Sequence, residues 1–541
     1  MRSEGLTRSG VVSLVGSAVA ALGALVLTSL VGHSLGAHGT GLFFQAVGIF
    51  TVASQVLRLG TNSGIVRFIS ADRAHDRQGQ EWRIVLIALL PVAVGSGLAS
   101  VALWLWSDQL ALLFSNSSEA AELDGLLRVM APFVLVGAVS GVVQIAARMV
   151  RGVTAFTMLQ SILPAIARLA TVAVGLMMLN TAGAAFAAWL IPLPVWLLVG
   201  IALIWRPLAQ DWRRRAAVAS VDRVGVRQFW RFNGPRAVGA GLETGLQWAD
   251  VLIVAALTTP AQAGIYAVAT RAVRAGEVVD KAMRVAVSPT ISGLLARGEV
   301  AATSRLHARV VRGMVIVSWP FYLVLAINGP AVLAIFGDEF VVGWPILSIL
   351  AIAMMCQTAA GMLQSILLQA GRSSWQMCNK TIALTLSVGL NVLLVPHWGI
   401  VGAALTWAIV VLVDNGIAAY QVHRLMRVRL QPSTYLPVAL LAVVVVGAGA
   451  VVTRQVGGTS LLWLLLGIAL TGMVYTALLW VWRRRLGTDY LWQKVPVIGS
   501  YARGRSSTPS PSALDDAASS STGSMEAASP GLGSSRSQES R

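Results

Sequence analysis

Six charged residues lie within one largely apolar stretch, residues 264–295, at spacings of three and four. They are Arg271, Arg274, Glu277, Asp280, Lys281 and Arg284. At about 100° per residue they occupy roughly half of a helix, and the other half carries small apolar side chains. Glu277 with Lys281 and Asp280 with Arg284 are i, i+4 pairs that can neutralise each other. Arg271 and Arg274 then remain as the cations that are free to contact a ligand.

Five more ionisable residues lie within apolar runs. Arg58 and Arg168 are single charges there, which favours a functional role, although a structural ion pair or a position nearer the membrane interface also fits. Glu243 and Asp250 are seven residues apart, two turns along one helix face. They can take part in proton or cation coupling, or they can partner the arginines of residues 264–295. Asp414 is a third coupling candidate, unless it lies near a helix end, where a charge costs little.

The composition predicts a polytopic membrane protein. Of 541 residues, 56% are hydrophobic and 12% are charged, and the chain contains many apolar runs of about twenty residues. The fourteen predicted spans are 10–32, 43–66, 84–106, 129–147, 158–179, 182–205, 233–257, 263–287, 311–336, 344–368, 377–395, 398–420, 436–452 and 460–482.

The net charge of +18 indicates basic loops facing an anionic inner leaflet rather than nucleic-acid binding. Cys356 and Cys378 lie on apolar spans and indicate packing residues, with no metal site or disulfide framework.

The loop charges decide whether residues 264–295 cross the membrane. One central Arg or Asp costs about 2.5 to 3.5 kcal/mol in lipid, so the charged half must face water or protein, in a span or in an interfacial helix. Basic loops follow every second span, and we count Lys380 among their charges. Apart from Arg454, the other loops are neutral or acidic. This alternation would fail throughout the second half if residues 264–295 did not cross. We therefore predict that they cross and that both termini are cytoplasmic.

The two halves of the chain repeat. GAHGTGLFFQAV (36–47) corresponds to PAQAGIYAVAT (260–270), and LLFSNSSE (112–119) corresponds to AIFGDEF (334–340), with an offset near 220 residues. Six spans per copy give both copies the same orientation. The predicted regions are an N-lobe (1–205), a basic cytoplasmic linker (206–232), a C-lobe (233–425), two extra spans (426–485) and a disordered Ser/Gly/Pro-rich cytoplasmic tail (486–541).

These motifs, with LGTNSGIVRFI (59–69), SPTISGLLARGE (288–299) and NVLLVPHWGIVGAAL (391–405), carry a family resemblance. Over roughly residues 8–485 the chain resembles the lipid-linked oligosaccharide flippases of the multidrug/oligosaccharidyl-lipid/polysaccharide exporter superfamily. The resemblance implies an all-α fold in which two parallel six-helix lobes form a V around a central cavity, open alternately to the two sides. It also implies transport of an undecaprenyl-diphosphate-linked sugar to the outer leaflet. In the peptidoglycan-precursor branch two extra helices help to form a groove for the lipid tail, which here would be spans thirteen and fourteen.

Given that resemblance, the cavity must carry a diphosphate past about 30 Å of hydrocarbon. Fixed cations can offset the lost hydration of the diphosphate, and arginine binds phosphate through two parallel hydrogen bonds. The candidates are Arg58, Arg168, Arg271, Arg274, Lys281 and Arg284.

The sequence contains no hydrolytic or transferase constellation, no nucleotide-binding glycine loop and no metal-ligand spacing among its six histidines. We therefore expect a transporter without cofactors in a bacterial cytoplasmic membrane. Its expected partners are the lipid-linked oligosaccharide, membrane lipids and proteins of polysaccharide synthesis or polymerisation. A cation-coupled multidrug exporter of the same superfamily is the alternative, and a membrane polysaccharide polymerase or ligase is a second one. The glycan, the driving force and the choice between a peptidoglycan precursor and a capsule or exopolysaccharide unit stay open.

Overall fold

The structure is a computed structural model that describes residues 2–74, 81–114, 119–215 and 225–488. The regular elements in these ranges are helices, with no strand, which confirms the predicted all-α class. The α-helices are α1 (Arg2–Leu57), α2 (Thr61–Ala74), α3 (Glu81–Leu105), α4 (Ser107–Phe114), α5 (Ala120–Arg151), α6 (Val153–Thr157), α7 (Leu163–Met178), α8 (Ala182–Leu190), α9 (Pro192–Arg215), α10 (Val226–Leu257), α11 (Pro260–Arg274), α12 (Glu277–Ala296), α13 (Val300–Ile327), α14 (Gly329–Ala334), α15 (Trp344–Ala360), α16 (Leu363–Gln369), α17 (Ser373–Tyr420), α18 (Leu436–Gly457), α19 (Leu461–Val481) and α20 (Arg483–Leu486). Short π-helical turns are Met158–Ile162 and Gln421–Leu425, and 3₁₀ turns are Asp338–Gly343 and Pro432–Thr434. The chain divides into two compact units, Met1–Tyr475 and Thr476–Arg541.

Eleven helical stretches of the described chain are long and apolar enough to cross a membrane. Two of them, Val15–Arg73 with 59 residues and Ser374–Leu425 with 52, far exceed the ~20 residues of one crossing. Each contains a glycine with positive φ, Gly36 (63°) in α1 and Gly399 (53°) in α17. Glycine adopts this conformation readily, so the chain changes direction at both positions.

The two arms of α17 fold back on each other at Gly399. Lys380 precedes the glycine and its Nζ atom lies 2.8 Å from Oδ2 of Asp414, which follows it. A Cβ atom added at Gly402 would lie 2.4 Å from the carbonyl oxygen of Leu394, so the turn requires a residue without a side chain there. The GIVGAAL motif is therefore a tight helical turn.

The single helix predicted for residues 264–295 is in fact two helices, α11 and α12, joined by a kink at Ala275 and Gly276. At the kink the backbone N–H of Gly276 donates to the carbonyl of Val273 (3.2 Å), one residue closer than in an α-helix. A Cβ atom at Gly276 would lie 2.5 Å from the hydroxyl oxygen of Tyr322 in α13. The absence of a side chain at Gly276 thus allows α13 to pack against the kink.

The repeated motifs meet where α1 and α11 pack together. A Cβ atom at Gly41 would lie 1.8 Å from the carbonyl oxygen of Pro260, and one at Gly264 would lie 2.1 Å from that of Ala37. The same sequence offset separates Gly41 from Gly264 and Ala37 from Pro260. The contact is therefore reciprocal, and it indicates an approximate two-fold relation between the two motifs.

The repeated motif AIFGDEF (334–340) caps the helical segment of α1 that begins after Gly36. The backbone N–H of Ala37 donates to Oε2 of Glu339 (2.7 Å), and the hydroxyl of Ser29 donates to the carbonyl of Ile335 (2.7 Å). A carboxylate at a helix N-terminus satisfies free N–H groups and complements the helix dipole. The 335–340 loop thus stabilises the break in α1.

The predicted linker and tail lie partly outside the described residues, as does the N-lobe at residues 1, 75–80 and 115–118. The linker 206–232 is helical at both described ends, because α9 extends to Arg215 and α10 begins at Val226. The predicted tail, 486–541, lies outside the described residues from position 489 onward. The other domain boundaries stay predictions.

Candidate functional site

Arg58 directly follows α1 and lies against α5. A Cβ atom added at Gly141 would lie 2.1 Å from the Nε atom of Arg58, so the side chain occupies the space that this glycine leaves. Its Nη2 atom donates to the carbonyl of Gly137, one turn earlier, at 3.4 Å. The Nε atom is buried and has no hydrogen-bond partner among the described residues. Arg58 therefore has one neutral partner and unused donor capacity.

Arg168 lies on α7 and stacks on a tryptophan of α8. Its guanidinium carbon lies 3.9 Å from the ring centroid of Trp189. Its Nε atom is also buried, with no hydrogen-bond partner in the described chain. A cation over an indole face is stabilised by about 0.5 to 2 kcal/mol, which leaves its N–H edge available.

Arg271 occupies the last turn of α11 and reaches toward α1. Its guanidinium carbon lies 3.4 Å from the ring centroid of Phe44 and 5.6 Å from that of Trp248. Its Nη1 atom donates to the carbonyl of Ala267 (3.3 Å) in the preceding turn. Arg271 therefore belongs to the second repeat but stacks on an aromatic residue of the first.

A chain of aromatic contacts joins the sites of Arg271 and Arg168. Ring centroids lie 4.9 Å apart for Phe43 and Phe44, 6.4 Å for Phe43 and Phe186, and 6.2 Å for Phe186 and Trp189. Phe50 contacts Trp189 edge-on, with ring centroids 5.5 Å apart. A Cβ atom at Gly137 would lie 2.7 Å from the ring of Phe50. Because Gly137 also accepts from Arg58, one buried aromatic cluster links the surroundings of all three arginines.

Arg274 has a different environment, which contains a carboxylate. Its Nη2 atom donates to the carbonyl of Gln247 (2.7 Å) and lies 4.0 Å from Oδ2 of Asp250 in α10. The hydroxyl of Tyr266 donates to the same oxygen at 3.2 Å. The Asp250 side chain is 2% exposed, and that of Arg274 is 30% exposed. Arg274 is thus positioned to balance a buried carboxylate.

The charges on either side of the kink have the signs that stabilise the two helix ends. Arg271 and Arg274 lie in the last turn of α11, and Glu277 and Asp280 lie in the first turn of α12. Cations at a helix C-terminus and anions at an N-terminus are each worth about 0.3 to 1 kcal/mol. Lys281 Nζ lies 3.2 Å from Oε2 of Glu277, in one of the two pairs proposed from the spacing.

The second pair proposed from the spacing, Asp280 with Arg284, does not form an ion pair in the described chain, because the two side chains differ in burial. Asp280 is buried and its Oδ1 atom has no hydrogen-bond partner among the residues that the structure describes, whereas Arg284 is exposed. The described chain forms no contact within 4.0 Å between their charged atoms. The hydroxyl of Tyr322, also buried and without a hydrogen-bond partner in the described ranges, packs at the same kink.

The two outlying acidic candidates also differ. Glu243 is exposed, two turns before Asp250 on α10. Asp414 is buried between the arms of α17, where it accepts from Lys380 (2.8 Å) and from Nε2 of Gln364 (3.1 Å). Lys380, which we expected to be a loop charge, therefore lies within a helix and neutralises Asp414.

Sequence reasoning missed the aromatic partners and the residues that meet at the kink. Phe44 and Trp189 stack on arginines, and Tyr266 bonds to Asp250. The sequence did contain a signal for two of these residues, because Phe44 and Tyr266 both belong to the repeated motifs. No spacing rule pairs Arg168 with Trp189, since the two residues are on different helices.

Two apolar cavities lie near these helices within residues 1–475. One of about 500 Å³ is lined by residues of α1, α11, α13 and α14, including Leu25, Ala272 and Phe321. Another of about 250 Å³ lies between α13, α18 and α19 and is lined by Phe321 and Tyr475, among others. Both linings are apolar, which suits a hydrocarbon chain.

Comparison with known proteins places these features in a family. The polysaccharide biosynthesis protein family matches residues 6–295, more than half of the chain. The chain belongs to this family. The resemblance inferred from its motifs is thereby confirmed, and the members to which the chain is similar are transporters rather than enzymes.

Individual relatives agree with the family assignment. The probable low-salt glycan biosynthesis flippase Agl15 of Haloferax volcanii is 26% identical over 240 residues, 43% of this chain and 49% of that protein. This chain thus matches about half the length of that curated relative. Among solved structures, the lipid II flippase MurJ in an inward closed conformation superposes with a TM-score of 0.69 at 12% identity, over 88% of this chain and 99% of that one. The Vibrio cholerae MATE transporter VcmN superposes with a TM-score of 0.55 at 18% identity, over 78% and 97%. At these identities the two structures show a shared fold alone.

Proposed function

We propose that this chain is a flippase that moves an undecaprenyl-diphosphate-linked oligosaccharide from the cytoplasmic to the outer leaflet by alternating access. The product serves cell-wall or surface-polysaccharide synthesis. One observation carries the proposal: in the described chain, Arg58, Arg168 and Arg271 have no carboxylate oxygen within 4.0 Å. A resident membrane charge without a counter-ion is expensive and therefore indicates a role.

The chemistry of a diphosphate fits these three arginines. A diphosphate loses its hydration when it leaves the membrane surface, and fixed guanidinium groups replace that hydration with charge-assisted hydrogen bonds. Stacking on Phe44 and Trp189 fixes the planes of Arg271 and Arg168, so their N–H edges are oriented before the ligand arrives. Arg274, Lys281 and Arg284 add positive charge around the site in this proposal, and the direct contacts with the diphosphate come from Arg58, Arg168 and Arg271.

The lipid tail needs a separate, apolar path. The cavity between α13, α18 and α19 supports a tail-binding role for the last two spans, and the larger cavity beside α1 and α11 supports lateral entry of the lipid. Burying a chain of CH₂ groups is worth about 0.8 kcal/mol for each, so an apolar groove holds the tail while the cations hold the diphosphate.

The proposed topology keeps fourteen spans. The breaks at Gly36 and Gly399 divide two of the eleven apolar stretches, and α11 with α12 supplies one more span. Two lobes, 1–205 and 233–425, then rock against each other in a bacterial cytoplasmic membrane, with both termini in the cytoplasm. The reciprocal contact of Gly41 and Gly264 supports the equivalence of the lobes.

Among the acidic candidates, we assign Asp250 to balancing Arg274 and Asp414 to balancing Lys380, from their distances of 4.0 and 2.8 Å. Glu277 and Asp280 complement the N-terminus of α12. Glu243, which is exposed, remains as the acidic residue for proton or cation coupling.

The experiment measures leaflet exposure of a lipid-diphosphate-linked oligosaccharide in proteoliposomes, using a membrane-impermeant lectin or glycosidase as the probe. Wild type is compared with Arg271→Gln and with Arg305→Gln, which removes one exposed arginine that forms no ion pair within the described ranges. We expect wild type and Arg305→Gln to expose the sugar and Arg271→Gln to lose most of the rate. Equal rates in all three proteins and in empty liposomes would disprove the flippase function.

The same liposomes test the multidrug-exporter alternative. A cavity for cationic drugs requires acidic or neutral walls, whereas Arg58, Arg168 and Arg271 would repel such drugs. Extrusion of a cationic dye without translocation of the oligosaccharide would therefore favour the exporter.

A further inference from the structure

A second group of arginines lies where α2 meets the beginning of α10, away from the aromatic cluster. Two guanidinium groups pack against the ring of Phe232, with the guanidinium carbon of Arg67 at 4.2 Å and that of Arg236 at 4.9 Å from its centroid. Arg236 also donates to the hydroxyl of Ser63 at 3.4 Å. Arg67 and Ser63 lie on α2, in the predicted N-lobe, whereas Phe232, the last residue of the predicted linker, and Arg236, in the predicted C-lobe, lie on α10. The two cations therefore meet at a seam between the halves of the chain.

The seam combines two exposed arginines with buried polar groups that have no hydrogen-bond partner in the described chain. Neither Arg67 nor Arg236 has a carboxylate within 4.0 Å in the described chain. Asn233 is fully buried, and neither atom of its amide has a hydrogen-bond partner there. Its amide packs on α2, where a Cβ atom at Gly64 would lie 2.2 Å from Nδ2. Asn62 contributes a buried carbonyl oxygen that also lacks a partner in the described ranges.

The seam lies near the ends of two membrane-crossing stretches. Arg67 is close to the end of Val15–Arg73, and Arg236 is close to the beginning of Val226–Leu257. At 1.5 Å per residue the 32 residues of α10 extend about 48 Å, well beyond the ~30 Å of hydrocarbon. The first turns of α10 therefore project to the level of the lipid headgroups, on the side with the arginine-rich loops.

We infer that the seam, formed by Arg67, Phe232, Asn233 and Arg236, binds the phosphate of a membrane lipid. Two guanidinium groups held on opposite halves of the chain can donate to the same phosphate, and the aromatic ring keeps both planes oriented. The buried amide of Asn233 packs on Gly64, one turn before Arg67 on α2, and so holds α2 and α10 together at the seam. A bound phosphate joins α2 to α10 and offsets the repulsion between the two cations. The inference is independent of the transport function proposed above, because it concerns binding and requires no translocation.

The test measures ligand-dependent thermal stability of the full chain in an uncharged detergent. The probes are farnesyl diphosphate, phosphatidylglycerol and inorganic pyrophosphate, each titrated to give a half-saturating concentration. The variants are Arg67→Gln/Arg236→Gln, and Arg67→Lys/Arg236→Lys, which keeps both charges but loses the planar guanidinium. The control, Arg305→Gln/Arg424→Gln, removes two exposed arginines that have no carboxylate oxygen within 4.0 Å among the described residues.

We expect one lipid probe to stabilise wild type and the control alike, and to require at least tenfold more ligand in the Gln pair. The Lys pair should be intermediate. Stabilisation by farnesyl diphosphate assigns the phosphate to a prenyl diphosphate, and stabilisation by phosphatidylglycerol assigns it to a phosphodiester headgroup. Equal half-saturation in the Gln pair and the control would overturn the inference. So would pyrophosphate binding as tightly as both lipid probes, because the site would then recognise an inorganic anion.

Discussion

The lone cations inside the apolar runs have different partners in the two halves of the chain. In the first half, Arg58 bonds a backbone carbonyl and Arg168 stacks on an indole, both neutral groups. In the second half, Lys380 lies 2.8 Å from the carboxylate of Asp414. Arg271 belongs to the second half in sequence, yet it contacts Phe44 of the first half. Because its partner is a phenyl ring, Arg271 resembles Arg58 and Arg168 in having a neutral partner.

The type of partner, carboxylate or neutral group, distinguishes charges that stabilise the protein from charges that can bind a ligand. A carboxylate cancels the charge of its partner, so the pair can stay in the protein throughout a transport cycle. An aromatic face offers about 0.5 to 2 kcal/mol, less than the several kcal/mol lost when an ion leaves water. The three arginines with neutral partners therefore retain most of their affinity for an anion, and they are the residues on which an anionic cargo depends.

The largest effect should follow from replacing the arginine that bridges the two halves. Arg271→Gln removes a charge-assisted contact worth about 1.5 to 3 kcal/mol, so translocation should fall about 10- to 100-fold. The folded protein should be as stable as wild type or more so, because an uncompensated charge is lost. Translocation in proteoliposomes and thermal unfolding in detergent check the two parts. A variant that unfolds while its folded fraction transports normally would show that Arg271 is structural.

The second largest effect concerns stability in the paired half. Asp414→Ala leaves Lys380 without its carboxylate, and we expect a loss of about 2 kcal/mol in unfolding free energy. This is below the 3 to 5 kcal/mol of fully buried pairs, because the Lys380 side chain is 30% exposed. Denaturant titration in micelles measures the loss. The double variant Lys380→Met/Asp414→Leu should recover most of it, and a double variant as unstable as the single one would contradict the assignment of this pair.

A smaller effect should follow from removing an aromatic partner in the unpaired half. Trp189→Leu deletes the surface that holds Arg168, at about 1 kcal/mol, so translocation should fall about fivefold. Trp205→Leu is the matched control, since Trp205 is 69% exposed on α9. The conservative change Trp189→Phe should restore part of the rate because it keeps a π face. Identical rates for the Leu variants at the two positions would show that the stacking does not position Arg168.

The sequence predicted what depends on local pattern. Apolar length predicted long apolar helices, and eleven stretches of the described chain are long enough to cross a membrane. Gly41 and Gly264, which the repeat matches, both lie at a close helix contact that excludes a side chain. The turn at Gly399 follows from a residue type that adopts positive φ readily.

What the sequence could not predict depends on partners that are distant in the chain. Gly276 has negative φ, so the kink in residues 264–295 arises from packing against Tyr322 in α13 rather than from a turn signal. Lys380 looked like a loop charge because its partner, Asp414, follows 34 residues later and beyond a turn. For Arg168 the apolar context indicated a function, but a stack on Trp189 leaves no periodicity to detect.

The smallest effect should come from the one pair that spacing alone identified correctly. Glu277→Gln/Lys281→Gln removes both members of an ion pair in which the lysine is 65% exposed. Exposed pairs contribute about 0 to 1 kcal/mol, so we expect unfolding free energy to change by roughly 0.5 kcal/mol and translocation by less than about twofold. Both quantities are measured in the same preparations as for Arg271→Gln. A tenfold loss of translocation in the double variant would place Lys281 among the cations that contact the cargo, and carboxylate pairing would then no longer separate structural cations from functional ones.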